Sequence, residues 1–174
     1  MTESLLPAEL TKLARRVIDE NRAAGRRIAV AESCTGGLVS AALTEIPGSS
    51  DVFVAGIVTY ADEAKMNLLA VAQDVLETFG AVSLATAWAM ANGAVEKTGA
   101  DLSVSITGIA GPGGGSERKP VGTVVFARCI AGEDPEKAKV DQRAFGDLGR
   151  SGIRLQAALC ALELLLPDAP AEPV

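Results

Sequence analysis

The sequence predicts an α/β domain with helices on both faces of a mixed, partly parallel sheet. Three observations carry this. Apolar runs over 27–31, 52–60, 101–106, 121–130 and 138–145 have strand length. Helical patterns fill the gaps between the first three runs, whereas only a loop and a turn separate the last three. Crossovers through helices make strands parallel, so the first three should share one direction. Strands three, four and five should then alternate, with five running parallel to three.

Taken in order, Leu10, Leu13, Ala14, Val17 and Ile18 share one face of a helix over 7–21. The first strand follows Gly25 and runs into the tight polar turn Glu32-Ser33-Cys34-Thr35-Gly36-Gly37. That turn feeds a helix over 38–45, stopped by Pro47-Gly48. After the second strand come helices over 62–70 and 75–79, the latter ending at Gly80. Ser83 then caps a long Ala-rich helix that stops at Gly99. A Gly-rich loop over 107–120 joins strands three and four, a polar turn over 131–137 joins four and five, and a last helix covers 153–166. The tail over 167–174 should be loose. The chain has 174 residues. With no repeat and no long linker, this suits one domain over 1–174.

This order has a chemical consequence. The turn at Ser33, the segment 60–65, the loop at Thr107 and the turn 146–150 all follow strand ends of one sense. They should meet at the carboxyl edge of the sheet, where open α/β folds bind ligands.

Composition narrows the chemistry that edge can perform. The net charge is −6 and no basic tract stands out, which speaks against a nucleic-acid surface and leaves room only for a local anion site. Cys34, Cys129 and Cys160 are far apart and in no metal-like spacing, so neither a disulfide framework nor a metal site is expected, and the compartment should be reducing, hence cytoplasmic. The start lacks the pattern of a signal peptide, and no apolar run of about 18 residues offers a membrane span. There is no histidine. A hydrolase built on this chain must take its base from Lys, Tyr or a carboxylate.

Ser33 sits directly after a strand, and Gly36 and Gly37 open the next helix. Backbone N–H groups of such a turn, from Glu32 through Cys34, Thr35, Gly36 and Gly37, can hold an anion or a developing oxyanion. A capping role for Ser33 or Thr35 would explain a hydroxyl there equally well. Lys65, one turn into its helix, reads as solvated surface unless burial makes it the base for Ser33. Tyr60 is a proton relay, a stacking surface or a tyrosine at the core edge. Cys34 is the rival nucleophile or simple packing. Asp62 and Glu63 suit the start of a helix. In the loop, Gly108, Gly111 and Gly113–Gly115 could wrap a ligand, with Arg118 or Lys119 on a phosphate, or form a plain crossover. Arg150 and Arg154 open the last helix against its dipole, which hints at an anion, although Arg154 reads as surface.

Three long segments, AESCTGGLVSAALTEIPGSSDVF, GIVTYADEAKMNLLAV and SITGIAGPGGGSERKPVGTVVFA, closely resemble the C-terminal domain of the competence/damage-inducible protein CinA. Stand-alone forms of that domain are nicotinamide-nucleotide amidohydrolases. The likeness covers about residues 10–166. It implies a three-layer α/β/α sandwich and hydrolysis of nicotinamide mononucleotide to nicotinate mononucleotide and ammonia, within pyridine-nucleotide salvage. By motif position Ser33 resembles the nucleophile and Lys65 its base. Tyr60, Thr107 and Gly108 resemble pocket residues, with Ala110 and Gly111 beside them. The resemblance implies no cofactor, a small-molecule partner and a homo-oligomer. The family's compact Gly-Asp-Arg turn is longer here, Gly146-Asp147-Leu148-Gly149-Arg150, and Arg150 takes the place of its arginine. The pyrophosphatase activity of the separate N-terminal domain of longer CinA proteins is not expected. Two rival readings are a non-catalytic nucleotide-binding module linked to competence or DNA damage, and an amidohydrolase for another small amide.

Overall fold

A computed structural model describes residues 4–134 and 137–168. Five strands, β1 (Ile28–Glu32), β2 (Phe53–Val58), β3 (Leu102–Gly108), β4 (Thr123–Ile130) and β5 (Lys139–Ala144), form one sheet in the order β2-β1-β3-β4-β5. β1 is parallel to both β2 and β3, while β3–β4 and β4–β5 are antiparallel. The expected directions hold in full, so β5 runs with β3.

Six helices cover the sheet. They are α1 (Ala8–Ala23), α2 (Leu38–Thr44), α3 (Asp62–Leu69), α4 (Gln73–Phe79), α5 (Leu84–Thr98) and α6 (Gly149–Leu164). Strand side chains alternate in direction. Ile28, Val30, Leu102, Val104, Ile106, Val124 and Phe126 pack with α1, α2 and α6. Ala31, Val125 and Ala127 face Leu69, Met90, Ala87 and Ala91 from α3 and α5. The fold is therefore the expected α/β arrangement, with a helical layer on each face of a mixed sheet.

The α5 face is built from small residues. Ser103, Ser105 and Thr107, at alternate positions of β3, donate to the carbonyls of Ala91 (2.6 Å), Ala87 (2.6 Å) and Ala81 (2.7 Å). These bonds satisfy buried hydroxyls and hold α5 close to the sheet. α5 also presses on the end of α3, because a Cβ at Gly93 would lie 2.0 Å from the Leu69 carbonyl oxygen. Ser83 caps α5 by accepting the Thr86 N–H, and Gly99 ends it in the left-handed region, both as expected.

Two expectations need correction. α6 begins at Gly149, four positions before 153. Its first residues face solvent and carry no apolar period, so the periodic signal starts only at the buried Ile153. The helix buries its apolar face within the chain, against α1, α2, β3 and β4. The tail expected to be loose is anchored at its start, where Asp168 meets Arg128 at 3.2 Å and Lys139 at 2.7 Å. The remainder, 169–174, lies outside the described residues. Among those described, no helix is long and apolar enough to cross a membrane.

Candidate active site

The β1–α2 turn is fixed by its own neighbours. The Ser33 N–H donates to the Ile106 carbonyl at 2.9 Å, which carries the β1–β3 ladder one residue further. Gly36 and Gly37 both have positive φ, so the chain reverses there without a Cβ penalty. Glu32 is fully buried, and its carboxylate accepts from the N–H groups of Gly37 (3.0 Å), Val39 (3.2 Å) and Ser40 (2.8 Å) and from the Ser40 hydroxyl (2.7 Å). A side-chain carboxylate thus occupies the start of α2.

This corrects several expectations. Glu32 is a cap and is closed to a ligand. The Gly37 N–H is committed to Glu32, and the Gly36 N–H to the Ser33 carbonyl at 3.0 Å. Neither Ser33 nor Thr35 caps α2, whose N-cap is Gly37 without a side-chain bond. The hydroxyl of Ser33 makes no hydrogen bond among the described residues, and the N–H groups of Cys34 and Thr35 bond to no other residue among them. What remains free in the turn is one hydroxyl and two adjacent amide donors.

Lys65 overturns its surface reading. It is only 1% exposed, one of the largest fully buried side chains of the described residues. Its ammonium donates to the Thr59 carbonyl at 3.2 Å and lies 3.4 Å from an Asp62 carboxylate oxygen. Asp62 is therefore a pocket residue as well as an acidic residue in the first turn of α3. Nothing in the local sequence signalled this. The pairing depends on how the helix rolls against the end of β2.

The four strand-end segments do converge. They enclose a cavity of ≈ 290 Å³ lined by Ser33, Cys34, Tyr60, Asp62, Lys65, Thr107, Gly108, Ala110, Gly111 and Arg150, with loop and α5-entry residues completing the wall. Thr35, Gly36 and Gly37 do not line it. A wider hollow of ≈ 600 Å³ runs along α1 beside Glu9, Lys12 and Arg16. Its walls are solvated side chains of one helix and bring no strand end together, so the smaller cavity is the candidate site. Among the described residues no direct hydrogen bond joins Ser33 to Lys65, whose ammonium is held by Thr59 and Asp62.

At the mouth, Arg150 donates to the Gly111 carbonyl (2.8 Å) and to the Tyr60 hydroxyl (2.7 Å), tying the Gly-rich loop to the end of β2. Lys119 donates to the Phe79 carbonyl at 2.9 Å, at the end of α4, and does not line the cavity. Arg118 is exposed and away from the cavity. Arg154 is braced against the Ser33 turn, donating to the carbonyls of Cys34 (3.2 Å) and Thr35 (2.8 Å). Its expected surface role is thus corrected. Burial pushes the Cys34 thiol up to about 11, which suits packing and not a thiolate nucleophile.

A family model described as the CinA C-terminal domain matches residues 10–168. The chain belongs to the CinA C-terminal domain family. It is 48% identical over 164 residues to a CinA-like protein of Synechococcus sp. (strain RCC307), covering 94% of this chain and 38% of that protein. A CinA-like protein of Mycolicibacterium paratuberculosis is 52% identical over 143 residues, covering 82% of this chain and 33% of that one. The chain thus spans about a third of the length of these relatives. Among solved structures, the competence/damage inducible protein CihA from Agrobacterium tumefaciens superposes with a TM-score of 0.89 at 47% identity, covering 94% of this chain and 97% of that one. A CinA superfamily protein from Escherichia coli gives 0.84 at 35% identity, covering 95% and 94%. The CinA domain fold accounts for the order of the strand-end segments.

Proposed function

We propose that this CinA-family chain is a serine-dependent amidohydrolase that converts nicotinamide mononucleotide to nicotinate mononucleotide and ammonia. The observation that carries the reading is a fully buried lysine opening onto the same cavity as a serine hydroxyl with no other partner. A buried lysine is rare, and a cap or packing role does not explain this pair. The cavity lies at the lower end of the usual range for small-molecule sites, about 300–1,000 Å³.

In the proposed chemistry Ser33 Oγ attacks the carboxamide carbon and passes its proton to the amine form of Lys65. The carbonyl oxygen takes up the electron pair as an oxyanion, held by the N–H of Cys34, the turn residue that lines the cavity beside Ser33. Collapse of this intermediate breaks the C–N bond, and Lys65 returns the proton to the leaving ammonia. Water then attacks the acyl-serine ester, giving a proton to Lys65; as the C–O bond to Ser33 breaks, Lys65 returns that proton to Ser33 Oγ and the acid leaves as its carboxylate. Tyr60 stands at the mouth, where its ring can stack on the flat pyridine.

The test is ammonia release from the mononucleotide. The wild type should turn it over, while Ser33→Ala should lose at least about 10³-fold in kcat and stay folded. Lys65→Arg should be nearly inactive, because arginine keeps the charge but cannot accept a proton. Absence of ammonia from the folded wild type would overturn the assignment. Full activity in Ser33→Ala with loss in Cys34→Ala would replace the serine by the thiol.

A further inference from the structure

Arg154 reaches the Ser33 turn without lining the cavity. Its guanidinium spans two consecutive carbonyls, those of Cys34 and Thr35, at 3.2 and 2.8 Å. In a trans peptide the carbonyl and the following N–H point in opposite directions. A Cys34 carbonyl held on Arg154 therefore turns the Thr35 N–H away from the guanidinium. The Gly36 N–H closes back on the Ser33 carbonyl at 3.0 Å, which fixes the Ser33–Cys34 peptide and with it the Cys34 N–H. Three successive peptide planes are thus set. Two of them rest on Arg154, and the Cys34 N–H, next to the nucleophile on a residue that lines the cavity, is the donor left for a ligand. Thr35 is fully buried and its hydroxyl finds no partner among the described residues, so no hydrogen bond from its side chain holds the turn.

We infer that Arg154 is a positioning residue, which holds the Ser33 turn so that the Cys34 N–H, on the turn residue that lines the cavity, can receive the oxyanion formed at the substrate's amide carbon. The inference rests on the serine amidohydrolase reading above. Lysine cannot replace the planar fork that spans both carbonyls, and the fixed positive charge behind the turn also favours a negative oxygen in front of it.

The experiment compares Arg154→Met, Arg154→Lys and Ser33→Ala in steady-state ammonia release from nicotinamide mononucleotide, with thermal melting as the check of fold. Arg154→Met should lower kcat about 100-fold, the size of a lost oxyanion donor, and change KM by less than about threefold. Arg154→Lys should fall between it and the wild type. It serves as the deciding variant if the methionine protein does not fold. A kcat within about threefold of wild type overturns the inference. So does a raised KM at unchanged kcat, which would make Arg154 a substrate ligand. If Ser33→Ala is dead while the Arg154 variants keep full kcat, only the positioning role fails. If Ser33→Ala keeps wild-type turnover, the serine reading itself fails.

Discussion

Burial raises the Cys34 thiol from 9.0 to about 11, and it does the same to Cys129. A raised pKa means that the folded chain holds the thiol proton more tightly than the unfolded chain. This contribution to stability is complete below pH 9 and is lost as pH rises through 11. Urea midpoints should therefore hold steady from pH 7 to pH 9 and fall between pH 9 and pH 11, and Cys34→Ala should remove part of that fall. A midpoint that declines equally in the variant would deny Cys34 its share. The neighbouring residues divide the work: Glu32 fixes the helix start, Ser33 keeps a free hydroxyl, and Cys34 packs. The sequence placed all three in one turn, but a carboxylate reaching eight residues ahead to Ser40 leaves no local pattern to read.

The meeting of α3 and α5 decides where Lys65 sits. Gly93 in mid-helix would ordinarily gain about 1 kcal/mol on replacement by alanine. Here the added methyl would meet backbone at Leu69, the last residue of α3. Gly93→Ala should thus destabilise the protein by about 1–3 kcal/mol, the usual cost of overpacking. It should also cut ammonia release, because the displaced helix carries the lysine. A rise in melting temperature with full activity would show that α3 adapts without moving Lys65. At this scale the elements themselves were legible, since period, caps and glycine stops agree over α1, α5 and all five strands. The start of α6 was not legible, because a solvent-facing first turn offers no apolar period.

Across the whole molecule, the sheet gathers segments that lie far apart in the chain, and this gathering was deducible from strand directions alone. The partners made on arrival were not. Arg154 reads as surface until the fold sets it 120 positions back against Cys34, and Lys65 reads as surface until the fold buries it against the Thr59 carbonyl. Arg150 tests how far the convergence serves substrate choice. If it reads the 5′-phosphate, Arg150→Ala should lower kcat/KM for the mononucleotide about 10–100-fold, the worth of a charge-assisted contact. The slower reaction of nicotinamide riboside should change little. Equal losses on both substrates would make Arg150 a strut between Tyr60 and Gly111 only.

The long reach of these braces also sets an order in time. The Arg150–Tyr60 and Arg154–Cys34 bonds close 90 and 120 positions of chain, the kind of non-local contact that slows the final approach to the native state. Trp88, the one tryptophan, lies on α5 and packs with the β4 face of the sheet. During refolding from urea its fluorescence should recover first, as α5 settles on the strands. Ammonia-releasing activity should return in a later phase, once α6 has docked and brought Arg154 to the Ser33 turn and Arg150 to the cavity mouth. Simultaneous recovery of the two signals would mean that the catalytic edge and the scaffold condense in a single step.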